Sequence, residues 1–183
     1  LEFMTANGFR PKAVTYNALI SGLVGISEKG QQPQEEMSLD SGMDANVDEG
    51  IKLLRDMMEL GVRPNAVTLS VLVYAMGKCS PPRVKEAKAL VDKLERGSFV
   101  PSGNAKGITA LVHTCGLGGD LKCAVESFRK LEKPDLVAVN TFLDACCRSN
   151  RERLAGEAFD HYFRKTNVSF KLKPDVVSYS VLI

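Results

Sequence analysis

Tryptophan is absent from this chain, histidine occurs twice, and charge is almost balanced, with 24 Lys and Arg against 22 Asp and Glu. A net charge of +2 over 183 residues excludes the strong positive field of a non-specific nucleic-acid binder. Any affinity for nucleic acid must therefore come from individually placed residues. No apolar run approaches the roughly 20 residues that span a bilayer, which argues against membrane insertion. A charged, apolar, small-residue leader is missing from the start, so no signal peptide is expected in this piece. The five cysteines (Cys79, Cys115, Cys123, Cys146 and Cys147) are odd in number and lack paired metal-ligand spacing. They are expected to be buried, reduced, small apolar residues in a reducing compartment rather than a disulfide framework or zinc site. His113 and His161 stand without the Cys or Glu spacing of a zinc deaminase. Glu35, Glu36 and Asp40 fall in a solvated polar stretch. With no catalytic constellation left, a non-enzymatic chain without metal or cofactor is expected.

What is present is one phrase written five times. Residues 13–20, Ala-Val-Thr-Tyr-Asn-Ala-Leu-Ile, return in altered form at 66–73, 136–143 and 176–183, with a worn copy at 105–112. Self-similarity at a spacing of a few tens of residues predicts a solenoid, whose equivalent side chains recur along one groove suited to a long ligand. Aligned on the fifth residue of the phrase, apolar residues coincide: Tyr16, Leu19, Ile20, Leu23; Leu69, Leu72, Val73, Met76; Ile108, Leu111, Val112, Cys115; Val139, Phe142, Leu143, Cys146. The spacing i, i+3, i+4, i+7 is one face of an α-helix, and the fifth residue lies at its polar edge.

A second helical pattern follows in each unit: Val47, Gly50, Leu53, Leu54, Met57; Val84, Ala87, Leu90, Val91, Leu94; Leu121, Ala124, Phe128, Leu131; Ala155, Ala158, Phe159, Tyr162. Small residues sit near its front (Gly50, Ala87, Ala124, Ala155) and at a fixed slot of the first helix (Gly22, Ala75, Thr114, Ala145). Such matched small residues predict two closely packed antiparallel helices per unit. Pro11, Pro64, Pro134 and Pro174 punctuate the units, and the Asn or Asp after three of them can cap the next helix.

Two helices per unit, Val-Thr-Tyr-Asn-Ala-Leu-Ile opening the first and a Gly-x-x-Pro-Asn or Lys-Pro-Asp closing the second, resemble the pentatricopeptide repeat family across essentially the whole chain. The tetratricopeptide pattern is not matched, because its Trp signature is missing. The resemblance implies an all-α, right-handed superhelical solenoid of helix-turn-helix hairpins. On this division residues 1–12 end a preceding repeat, 13–65 form repeat one, 66–104 repeat two, 105–135 a short repeat three, 136–175 repeat four, and 176–183 open a further one. Residues 1–4 fit the register of a closing second helix, and the chain is expected to be a segment of a longer array. Between fifth-position residues the steps are 53, 39, 31 and 40, against about 35 for the family's usual unit. Residues 28–46, rich in Gln, Glu, Ser, Asp and Gly, are expected to be a long loop insertion inside repeat one.

The resemblance further implies binding of single-stranded RNA, one base per repeat, in plastid or mitochondrial RNA metabolism. Its reading positions, the fifth residue of a unit and its last, fall on Asn17 with Asn65, Ser70 with Ser102, Thr109 with Asp135, and Asn140 with Asp175, with Ser180 opening the next. The implied bases are C, an unassigned one, G and U, 5′ to 3′ along the chain. Asn104 is an alternative partner of Ser70, and Ser with Asn would imply A. Base-clamping apolar residues would be Val14, Val67, Val137 and Val177, with Lys106 breaking the pattern, and phosphate contacts would be Lys78 and Arg148. Helix capping alone also accounts for Asn65, Ser102, Asp135 and Asp175, whereas the uniformly polar fifth positions have no such explanation. A non-reading alternative is a helical scaffold subunit of a large organellar assembly, a ribosome or transcription complex, with the 28–46 loop as a protein-docking element.

Overall fold

Helical periodicity in the sequence becomes a two-layer stack of helices. The computed structural model describes residues 7–25, 42–164 and 172–182, and among them there are helices and turns but no strand. In chain order these are α1 (Ala13–Leu23), α2 (Met43–Glu59), α3 (Ala66–Gly77), α4 (Val84–Arg96), α5 (Ala105–Leu117), α6 (Leu121–Phe128), α7 (Leu136–Arg148), α8 (Glu152–Phe159) and α9 (Val176–Ser180). A π-helical turn, Asp160–Arg164, extends α8. The pairs α1–α2, α3–α4, α5–α6 and α7–α8 pack as hairpins, and each second helix also touches the first helix of the next pair where α2 meets α3, α4 meets α5 and α6 meets α7. The most extensive packing is between successive first helices, α3 on α5 and α5 on α7. No described helix is long and apolar enough to cross a membrane.

The expected seam is buried: Tyr16, Ile20, Leu69, Leu72, Val73, Ile108, Val112, Val139, Leu143 and Cys146 are shut away from solvent, as are Val47, Met57, Ala87, Leu94, Ala124 and Ala155 on the second helices. Leu19 departs from its equivalents and is exposed. Its counterpart Leu72 rests on Gly50 of the preceding hairpin, and no described element offers Leu19 such a partner.

Small residues at the fixed slot of the first helix do something other than close the hairpin. Thr114 donates from Oγ1 to the Val73 carbonyl of the neighbouring first helix at 2.8 Å, and Ala145 lies where a Cβ on Gly116 would come within 2.8 Å of its own. These residues set the spacing between successive repeats. Gly22, the first of the series, is exposed with nothing near it. Small residues on the second helices act similarly, since a Cβ at Gly50 would meet Leu72 of α3 at 2.9 Å.

Two boundaries differ from the sequence expectation. Met43–Asn46 form the first turn of α2 and not the end of a loop. Buried Met43 anchors that turn, and Asp44 complements the helix N-terminus. Residues 28–41, with Glu35, Glu36 and Asp40, lie outside the described residues, as do residues 1–4. After α8 the π turn rotates the register, so that Phe163 is buried beneath Phe159 while Tyr162 stays half-buried against the edge of Phe128. All five cysteines are free thiols, four of them buried and Cys147 half-buried.

Ion pairs tie successive second helices along the outer layer. Arg83 reaches Asp48 at 2.7 Å, and Lys88 reaches Glu126 at 3.2 Å. Both acidic partners are exposed, so each pair contributes at most about 1 kcal/mol and mainly favours one register.

Candidate nucleic-acid interface

The capping residues build the site. Asn65 accepts from the backbone N–H groups of Val67 and Thr68 at 3.0 and 3.1 Å, Asp135 from Ala138 at 2.8 Å, and Asp175 from Ser178 at 2.8 Å. Each cap is fixed at the start of a first helix, one repeat along from the fifth-position residue it is paired with by the expected scheme. At two of the pairs the side chains meet. The Asn17 amide Nδ2 donates to Asn65 Oδ1 at 3.3 Å, and the Asn140 amide Nδ2 donates to Asp175 Oδ1 at 3.1 Å. Asn17 and Asn140 are 4% and 8% exposed, deeper than the polar edge predicted for them, whereas Asn65 and Asp175 are exposed above them. Hydrogen bonds from the Ser178 backbone N–H, the Ser178 hydroxyl and the Asn140 amide hold the Asp175 carboxyl below the ordinary carboxylate range.

The other positions are arranged differently. Half-buried Ser70 turns its hydroxyl to the Val67 carbonyl of its own helix at 3.1 Å, and exposed Ser180 does the same to Val177 at 3.0 Å. Thr109 is half-buried. Among the described residues no side-chain hydrogen bond joins Ser70 to Ser102 or Asn104, or Thr109 to Asp135. At the start of α5 the cap is Asn104, which accepts from Gly107 N at 3.0 Å, and Ser102 lies exposed two residues earlier. Asn104, and not Ser102, occupies the place held elsewhere by Asn65, Asp135 and Asp175.

Val14 and Val137 are 74% and 65% exposed, Val177 is exposed and Val67 half-buried, although all four are apolar and sit in the first turn beside the caps. Lys106 is exposed in the equivalent turn of α5. One helical turn past the fifth positions, Tyr74 and His113 stack at 4.5 Å between ring centroids. Two turns past lie Lys78, whose ammonium stands 5.4 Å from the Tyr74 ring, and Arg148, whose Nε donates to Asp144 Oδ2 at 2.7 Å. Burial pushes the His113 imidazole below its usual range; Asp144 opposes that shift, and Arg148 and Lys78 add to it.

Two residues of this site carry no flag in the sequence. Thr68 donates from Oγ1 to Asn17 Oδ1 at 2.6 Å, and Ser178 donates from Oγ to Asn140 Oδ1 at 2.8 Å. Both are fully buried third residues of the phrase. The signal that finds them is the alignment itself: the third residue is hydroxylated one repeat after each Asn and is Gly107 or Ala138 after Ser70 and Thr109.

No family model matches the chain. A putative pentatricopeptide repeat-containing protein of Arabidopsis thaliana is 25% identical across 100% of this chain and 45% of its own length. A second pentatricopeptide repeat-containing protein from the same plant is 27% identical over 93% of this chain and 20% of its own. A third, described as chloroplastic, is 34% identical over 55% of this chain and 12% of its own. The chain thus spans less than half the length of these curated relatives. The crystal structure of the pentatricopeptide repeat protein PPR10 from maize superposes with a TM-score of 0.61 at 20% identity, over 99% of this chain and 22% of that one, a likeness of fold. The recurring phrase, the stacked hairpins it folds into and these likenesses point the same way: the three curated relatives are all pentatricopeptide repeat proteins, and the fold is that of a pentatricopeptide repeat solenoid.

Proposed function

We propose that this chain binds single-stranded RNA along its layer of first helices, one base per repeat, as a non-catalytic module of organellar RNA metabolism. The observation that carries the proposal is the pairing of Asn17 with Asn65 and of Asn140 with Asp175 in the same geometry, three hairpins apart. An unstacked base presents donors and acceptors on its Watson–Crick edge, which exposed Asn65 or Asp175 would meet first and the amide beneath would complete. Exposed Val14, Val137 and Val177, with half-buried Val67, give apolar surface on which base rings can pack. Repeats are taken at 13–65, 66–104, 105–135 and 136–175. Ser70 is assigned Asn104 as its partner, because Asn104 holds the capping position, and Ser102 is left outside the site. The resulting register is C-A-G-U. Plastid or mitochondrion is the proposed compartment, in keeping with plant relatives of which one is described as chloroplastic.

The phosphate side is thin. Lys78 is exposed, but Arg148 is bound to Asp144, and the equivalent slots hold Gly25 and Leu117. That observation favours a second reading, a scaffold subunit of a large organellar assembly with residues 28–46 contributing to protein docking. Selection from a randomised single-stranded RNA pool at near-physiological salt separates the two. Enrichment of C-A-G-U, with the U preference alone lost on Asn140→Thr, supports base reading. Binding without sequence preference, or none, leaves the scaffold.

A further inference from the structure

We infer that the hydroxyl at the third residue of one repeat is a positioning residue for the fifth-position asparagine of the repeat before it; the inference rests on the base-reading proposal above. A primary amide can turn over by half a rotation and exchange its donor and acceptor ends. Unless something fixes the turn, it offers a base two contradictory patterns. Thr68 fixes it for Asn17. The backbone N–H of Asn65 donates to Thr68 Oγ1 at 3.2 Å, so the hydroxyl proton is free to be given away. It points at Asn17 Oδ1 at 2.6 Å, nearer than Asn65 Oδ1 at 3.2 Å. With Oδ1 held by a donor, Nδ2 faces the acceptor Asn65 Oδ1.

The same circuit recurs around Asn140. Asp175 N donates to Ser178 Oγ at 3.1 Å, the hydroxyl lies 2.8 Å from both Asn140 Oδ1 and Asp175 Oδ1, and Nδ2 faces the carboxylate, which only accepts. Each asparagine is left with one N–H and one oxygen lone pair for a ligand. Ser70 and Thr109 need no such control. A hydroxyl is donor and acceptor on one rotating atom, and the third residues following them, Gly107 and Ala138, carry no polar side chain. Chemistry, not helix formation, accounts for the difference, because α5 and α7 are capped without a third-residue hydroxyl.

The test measures binding of the protein to short single-stranded RNAs carrying C-A-G-U with each of the four bases at the position facing Asn140. Ser178→Ala is expected to lower the preference for U over the other bases by about three- to tenfold, the share of one hydrogen bond, while the G preference at Thr109 stays unchanged. Ser178→Thr should retain it. A graft guards against a folding effect: Thr109→Asn with Ala138→Ser rebuilds the circuit on Asp135, and the double variant should prefer U in repeat three more strongly than Thr109→Asn alone. A parent with clear U preference that survives Ser178→Ala, or a graft no better than its single variant, overturns the inference and leaves base reading standing. A parent with no base preference removes both.

Discussion

Gly116→Ala and Gly156→Ala are the same substitution in two helices, and the structure gives them opposite signs. Each exchanges glycine for the best helix former, a gain of about 1 kcal/mol where space allows. At Gly156 in α8 an added Cβ meets nothing within 4 Å, so the gain should appear nearly whole. At Gly116 in α5 the new Cβ would stand 2.8 Å from the Ala145 Cβ and 3.0 Å from its Cα. Carbon atoms rest about 3.5–4.0 Å apart, and neither Ala145 atom can swing aside, so α5 and α7 must separate by about 1 Å. Overpacking of this kind costs about 1–3 kcal/mol. Set against the propensity gain, the net loss is about 1 kcal/mol and at most about 2. For a chain of this size each kilocalorie moves the midpoint by about 2–4 °C. Thermal and urea unfolding followed by circular dichroism would read both variants. Gly116→Ala stabilising the protein as much as Gly156→Ala would refute the claim that direct contact between first helices sets the repeat spacing.

Thr114→Val keeps shape but removes the proton given to the Val73 and Ala110 carbonyls, at 2.8 and 2.9 Å; a loss of about 1 kcal/mol is expected in urea titration. His113 is held below its usual range by burial, so the unfolded chain binds the extra proton first. Stability should then rise with pH through the ordinary imidazole range and fall on acidification, and His113→Gln should flatten that part of a melting-temperature profile between pH 5 and 8. Asp144→Asn releases Arg148 from its 2.7 Å ion pair. Under the RNA-binding proposal, affinity should rise and the slope of log affinity against log salt should steepen by about 0.7; an unchanged slope would show that Arg148 touches no phosphate. Brief alkylation of the native protein should label half-buried Cys147 before the four buried thiols, as mass spectrometry of the digested protein would show.

The repeating phrase makes the helices, their buried faces and the caps Asn65, Asp135 and Asp175 legible from the sequence, because periodicity and capping are local; side chains meet at only two of the four expected pairs, Asn17 with Asn65 and Asn140 with Asp175. Contacts between repeats were less legible. Ala75, Thr114 and Ala145 have the small size that either a tight hairpin or a tight stack requires, and sequence spacing cannot separate the two. Thr68 reads as an ordinary first-turn threonine, since its amide partner Asn17 lies 51 residues away. Met43–Asn46 carry a loop's polar composition and fold as helix because Met43 is buried against the core. A strict α-helical count puts Tyr162 on the inner face, and the π turn at Asp160–Arg164 breaks that count.

The hydroxyl of Thr68 belongs by chain order to one repeat and by contact to the asparagine of another. A repeat in this protein is therefore not a self-contained cassette. Cutting and splicing at the proline-marked boundary, between Asn65 and Ala66, would carry an asparagine to a new place and leave its hydroxyl behind. A recombined array keeps each hydrogen-bonded circuit whole only when the joint falls inside the first helix, between its third and fifth residues, so that the transferable block is staggered against the visible repeat.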